Sequence, residues 1–168
     1  MAVIKTANTT EKYHNLNSYS DVINYITQPS KTIHGYIGSI ILDPYNPAED
    51  MEAVAKKFHK ESGVHVRHFI VAFDPLEPVT PGIAVLIGQE IIGYLGKQFQ
   101  AIYAVHEDKP QLHIHIIINA VSHVDGHKYR GTREVFHRFE DFVRRTVRKY
   151  GVRELHYVSS RAKHCFDD

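Results

Sequence analysis

The sequence predicts an α+β protein: a central antiparallel β-sheet flanked by helices, packed as a two-layer sandwich. Three observations carry that expectation. Short β-prone runs alternate with amphipathic stretches of helical period along the chain. Two very apolar runs, 99–107 and 112–122, are joined by a loop too short for a parallel crossover, so they must pair antiparallel. No repeat, low-complexity segment or linker interrupts the 168 residues, so a single domain is expected over 1–168.

The elements follow in order. Residues 1–18 read as a polar arm with a first strand at 2–5. Ser20 stands as the cap of a short helix over 21–28, which carries the stripe Val22, Ile23 and Ile26 and which Pro29 stops. Residues 36–42, YIGSIIL, are β-prone. Asn46 and Pro47 read as cap and first position of a second helix. That helix buries Met51, Val54, Ala55 and Phe58, and Gly63 ends it. A strand covers 65–73, and Thr80-Pro81 opens a third helix over 82–96. After the two central strands, HVDGHKY is a turn carrying the Asp125-Gly126 signal. Thr132 caps a last long helix with the stripe Val135, Phe139, Phe142, Val143, Val147 and Tyr150, and Gly151 closes it. Residues 155–159 form an edge strand or a loop within a C-terminal tail, 152–168.

Hydrophobic content of 43% and charged content of 23% suit a soluble globular chain. No apolar run approaches the roughly 18–20 residues needed to cross a bilayer, and the polar start lacks a signal peptide's apolar segment. One cysteine, Cys165, leaves no internal disulfide to form, so a cytoplasmic location is the default expectation. Net charge is only +1, which does not announce a nucleic-acid binder. From Gly126 onward, however, 11 Lys/Arg stand against 6 Asp/Glu. That surplus suits tracking a phosphate backbone, with a solvated helix face as the bland reading.

Histidine is the unusual residue, at 13 copies. The informative segment is HEDKPQLHIHIIIN, 106–119. His113 and His115 lie two apart on a strand and so leave the same face, while Leu112, Ile114, Ile116 and Ile118 take the other. His106 ends the neighbouring strand, where antiparallel pairing brings it beside His113. Three imidazoles then converge and leave open coordination positions, as a catalytic metal site does. A His-x-His pair alone is more often structural; the third histidine and the adjoining Glu107 and Asp108 shift the balance toward metal.

This segment resembles the third motif of the relaxases, mobilisation nucleases within the wider histidine–hydrophobic–histidine endonuclease group. VINYITQPSKT, 22–32, resembles that family's nucleophile motif, a tyrosine in a short helix followed by Lys-Thr. The stretch 67–91 resembles the segment between, and GHKYRGT, 126–132, the basic turn after the histidine strand. The resemblance runs from about Tyr19 to Gly151 and is closest to the MOB-P class. It implies that Tyr25 attacks a phosphodiester to leave a 5′-phosphotyrosine and a free 3′-hydroxyl, reversibly. A phenol ionises near pH 10 and needs activation, for which Asp108 is the first candidate and Glu107 the second.

The resemblance also implies magnesium or manganese in use on His106, His113 and His115, with zinc or nickel as tighter-binding occupants. Its implied partners are single-stranded or hairpin origin DNA, accessory relaxosome proteins and a type IV secretion coupling protein, in a bacterial cytoplasm. Candidate DNA contacts are Lys31, Thr32, Asn119, Lys128, Tyr129 and Arg130, since basic and aromatic residues together suit single strands. For each, a plain surface or strand-end role competes. Tyr19 is a candidate second acceptor. A rolling-circle replication initiator or transposase-like nuclease would instead place its tyrosine on the last helix, at Tyr150. A three-histidine hydrolase of small molecules would need no tyrosine, and a decayed DNA-binding module would bind without cutting. The chain departs from many relatives at Pro110-Gln111, where they carry a further histidine or asparagine; they also usually continue into a long C-terminal region, whereas this sequence stops at Asp168, as either part of a longer relaxase or a small stand-alone nuclease would.

Overall fold

The computed structural model describes residues 1–7, 15 and 17–158. In order these form β1 (Ala2–Thr6), α1 (Ser18–Ile26), β2 (Ile37–Ile40), α2 (Pro47–Lys57) and β3 (Val66–Phe73). There follow α3 (Pro81–Leu95), β4 (Ala101–His106), β5 (His113–Asn119), α4 (Arg133–Lys149) and β6 (Leu155–Tyr157). The strands make one six-stranded sheet in the order β2-β4-β5-β3-β1-β6. β4 and β5 pair antiparallel, as their short connection demands. The β2–β4, β3–β5 and β1–β3 pairs are antiparallel as well. Only the edge pair β1–β6 is parallel among the described strands, so the sheet is mixed. Cys165 and the end of the tail lie outside the described residues.

The α+β class and the central antiparallel strands match the expectation, but helices cover both faces of the sheet. On β5, Ile114, Ile116 and Ile118 pack with α3 and α4. Ile117, with Ile102 and Ala104 of β4, packs instead with α1 and α2. A two-layer sandwich would leave that second face wet, yet its central strands are apolar there too. Burying side chains such as Val22, Ile23 and Ile26 contributes about 1.5–3 kcal/mol each, which holds α1 down. On the other face, Tyr103 fills a gap that two glycines leave. A Cβ on Gly38 or Gly88 would lie 2.4 or 2.7 Å from its ring.

The helix ends show what local reading captures. Thr80 and Thr132 each accept a backbone N–H from the third residue on, as caps do. Gly151 closes α4 at φ 89, with Val152 N–H returning to the Val147 carbonyl. α1, however, starts at Ser18, and the Ser20 hydroxyl donates to the Asn17 carbonyl rather than capping. α2 ends at Lys57, well before Gly63. Its stop is His59 at φ 56, with Lys60 N–H on the Ala55 carbonyl and His59 N–H on the Lys56 carbonyl. That is a Schellman closure with a non-glycine residue in the left-handed position, so the glycine signal pointed to the wrong residue. Among the described residues, no helix is long and apolar enough to cross a membrane.

His59 is exposed and sits where glycine carries no steric penalty. Replacing it, His59→Gly, is expected to stabilise the domain by about 0.5–1 kcal/mol, read as a raised denaturant midpoint at unchanged slope.

Candidate active site

The register of β4 on β5 sets His106 directly opposite His113, and Ala104 opposite His115. The three imidazoles therefore meet on the α1 side of the sheet. Their ring centroids lie 4.0 Å apart for His106–His115 and 5.0 Å for each of the other two pairs. One ligand atom from each falls within 4.8 Å of the others.

Which nitrogen each ring offers follows from what its other nitrogen holds. His106 Nε2 donates to the Ile26 carbonyl at 2.8 Å, so its lone pair is on Nδ1. That Nδ1 is buried and has no hydrogen-bond partner. His113 Nδ1 donates to the Gln111 carbonyl at 2.9 Å, which leaves Nε2. His115 Nδ1 lies 2.7 Å from His68 Nε2, and when it donates there its own Nε2 is left. Burial pushes all three imidazoles toward the neutral form: His106 is lowered to about 4, His113 is lowered, and His115 lies well below the usual range. For His115, the neighbouring His68, His106 and His113 add to that depression. Neutral rings held by outer partners, with one buried nitrogen unsatisfied, are the donor set a divalent metal takes.

α1 brings Tyr25 to this cluster. Its ring is 5.8 Å from His115 and 6.2 Å from His106, edge-on to both. The Ile26 carbonyl, one residue on, is a helix-end acceptor with no partner inside the helix, and His106 satisfies it. The loop after α1 then folds against the end of β4. Glu107 N–H donates to the Lys31 carbonyl, and the Glu107 carboxylate takes His34 through both its ring Nδ1 and its backbone N–H. The loop so fixed carries Lys31, whose ammonium lies 4.5 Å over the Tyr25 ring and 3.9 Å from Asp108. Asp108 in turn approaches His113 Nε2 at 4.0 Å.

Tyr25, Lys31, Asp108, His113 and His115 line one cavity of about 110 Å³, together with Lys5 of β1 and Lys109. The two carboxylates that sequence left undecided thus sit differently: Asp108 faces the cavity, while Glu107 pins the Lys31 loop. Three residues emerge that sequence reading passed over. Lys5 reaches the cavity because β1 pairs with β3, Lys109 lies on the loop between the histidine strands, and His68 stands on β3 behind His115. Alternation does put His68 on the face of Ile70, but the β3–β5 register that sets it by His115 is not written in either strand.

Other predicted contacts lie away from the cavity. The Thr32 hydroxyl donates to the Gln28 carbonyl and is buried. Asn119 is buried and donates to the Met51 carbonyl and to Gln100 Oε1, tying β5 to α2. Lys128 Nζ donates to the Ser62 and Val64 carbonyls. Tyr129 is buried on the opposite face, among the α3/α4 core, and Arg130 is exposed. Several basic residues of α4 are matched by acids: Arg138 by Glu134, Arg144 by Glu140 and Asp141, Lys149 by Glu90. Tyr19 is buried, stacked on His65, and burial pushes its pKa up, which holds it as the neutral phenol. The Tyr150 hydroxyl donates to Glu90, on the α3/α4 side of the sheet.

Three neutral imidazoles beside a tyrosine, on an α+β frame with this order of motifs, are the outline expected of a relaxase-type nuclease domain. The chain belongs to the relaxase family: the MobA/VirD2-like relaxase nuclease domain matches residues 25–152. It is 29% identical over 136 residues to protein rlx of Staphylococcus aureus, a match covering 81% of this chain and 40% of that protein. A second protein rlx of the same organism is 26% identical over 165 residues, covering 94% of this chain and 51% of the relative. The chain thus spans about half the length of these relatives or less. A solved chain from the study "Molecular Basis of Vancomycin Resistance Transfer in Staphylococcus aureus" aligns at a TM-score of 0.47 and 13% identity, over 76% of this chain and 74% of that one.

The bond from His68 to His115 gives a specific expectation. Removing the outer partner with His68→Leu should weaken manganese binding about 10–100-fold by calorimetry. His68→Gln, which restores a polar partner for Nδ1, should recover most of that loss. Equal affinity in all three proteins would show that His68 only fills space.

Proposed function

We infer that this domain nicks and rejoins one DNA strand at the transfer origin of a plasmid or conjugative element, with Tyr25 as the nucleophile and a divalent metal on His106, His113 and His115. The observation that carries this reading is the Tyr25 ring standing edge-on to His106 and His115, and lining one cavity with His113, His115, Lys31 and Asp108. Magnesium or manganese is the expected ion in use, and zinc or nickel would bind the same imidazoles. When bound, such an ion supplies Lewis-acid polarisation of a phosphate oxygen.

The chain's own groups do the rest. Lys5, Lys31 and Lys109 give the cavity a positive lining that suits a phosphodiester. Lys31, over the Tyr25 ring, stands where it can pair with a phosphate oxygen beside the nucleophile. Asp108 takes the phenolic proton, and Glu107 holds the Lys31 loop in place through His34. The tyrosyl oxygen bonds to phosphorus, the bond from phosphorus to the 3′-oxygen breaks, and that oxygen takes a proton from solvent. A 5′-phosphotyrosine and a free 3′-hydroxyl result, and attack by that hydroxyl reverses the step. The whole protein's expected partners are hairpin or single-stranded origin DNA, accessory relaxosome proteins and a secretion coupling protein.

A replication-initiator mechanism gains no support, since Tyr150 packs on the far face of the sheet with its hydroxyl on Glu90. Incubated with manganese and labelled single-stranded origin oligonucleotides, the domain should give a protein-linked DNA band on a denaturing gel. The band should be lost with chelator and in Tyr25→Phe, since a phenyl ring offers no oxygen to form the covalent link. A band that survives Tyr25→Phe would move the nucleophile elsewhere. Metal-dependent hydrolysis of small phosphates by Tyr25→Phe, without any DNA adduct, would favour a simple hydrolase.

A further inference from the structure

β1 and β3 carry a second concavity behind the first. The neighbouring residue pairs Lys5–Ile70 and Thr6–Phe69 point to opposite faces of the sheet. Lys5 and Ile70 line the histidine cavity, whereas Thr6 and Phe69 line a cleft of about 520 Å³ on the α4 side. Its other walls are Arg67 of β3, Tyr129 and Gly131 of the turn, Arg133, Phe136 and His137 of α4, and Tyr157 of β6.

The chemistry of these walls is selective. Among the described residues, two guanidiniums line the cleft and no carboxylate does. Arg67 lies 5.7 Å over the Tyr129 ring, and its Nε is buried without a hydrogen-bond partner. The Tyr129 hydroxyl is likewise buried and unpartnered, on a side chain only 8% exposed. Arg133 Nε donates to His137 Nε2, which keeps that guanidinium on the cleft rim. Phe136 and Tyr157 pack ring against ring at 4.7 Å, and Tyr157 keeps 45% of its surface exposed. An anion for the arginines and the tyrosine hydroxyl, joined to a flat ring for the aromatic wall, satisfies every one of these features. A nucleotide unit of a single strand is such a group.

We propose that this cleft is a second single-strand subsite, which holds a nucleotide flanking the nick after the strand rounds the β1–β6 edge of the sheet. The inference rests on the DNA reading above. It also explains why a turn residue such as Tyr129, far from the histidines, carries unspent hydrogen-bonding capacity. The arginines take the phosphate, and the base stacks against Phe136 and Tyr157.

The test uses fluorescent oligo(dT) in a short form and in a form extended by about ten nucleotides, within the range one single-strand-binding fold covers. The variant is Arg133→Gln with Tyr157→Ser, two exposed positions, checked for an unchanged melting temperature. The extended oligonucleotide should bind the variant about tenfold more weakly than the unaltered domain. The slope of log affinity against log salt should flatten by about 0.7 for the lost phosphate contact. The short form should bind both proteins alike. Iodouracil-substituted extended oligonucleotide should crosslink to peptides holding Tyr129, Phe136 or Tyr157. Equal affinity of both proteins for the extended form, or crosslinks confined to the histidine cavity, would overturn the subsite while leaving the nicking reading intact. Failure of the unaltered domain to bind either form would overturn both. A lost Tyr25 adduct with the tenfold effect preserved would overturn only the chemistry.

Discussion

The hydrogen bond from His106 Nε2 to the Ile26 carbonyl joins the two halves of the site. It closes the C-terminal end of α1, where a helix leaves carbonyls without internal partners. It also fixes which nitrogen of His106 faces the other imidazoles. Tyr25 is one residue away on the helix so anchored, so the tyrosine and the histidine cluster cannot drift apart without breaking a buried contact. An unsatisfied buried carbonyl costs about 1–3 kcal/mol, enough to keep that contact made. The Glu107 contacts to His34 and to the Lys31 loop extend the same clamp to the cation over the Tyr25 ring.

Sheet register supplies the rest. His113 opposite His106, with His115 two residues on, needs only an antiparallel pair and a short loop. His68 needs the next strand over, in one particular register, to reach His115. An apolar second face on β4 and β5 then requires α1 and α2 as a lid. Covering the site on that side also removes water from the imidazoles, which is why burial heads the causes of their lowered basicity. Packing, protonation and ligand geometry are therefore one arrangement seen three ways.

Much of this was legible in the sequence where local rules govern. The order of elements, the Thr80 and Thr132 caps, the Gly151 stop and the convergence of His106, His113 and His115 all follow from periodicity, capping chemistry and one short loop. The parallel β6, the second helical layer, His68 and Lys5 depend on strand order and register between distant segments, which no local pattern encodes. Gly63 misled because α2 closes earlier, with His59 in the left-handed position. Lys128 and Asn119 look like ligand-facing residues by type, yet their hydrogen bonds go to carbonyls and amides that the fold itself brings up. Residue type announces capacity; contacts decide how it is used.

The three imidazoles, with the nitrogens assigned by their outer partners, are arranged to hold one metal ion. Anomalous diffraction from crystals grown with manganese tests this directly. A single strong peak is expected, bonded to His106 Nδ1, His113 Nε2 and His115 Nε2, beside the Tyr25 ring. A peak held by other residues, or none among the three rings at saturating manganese, would contradict it.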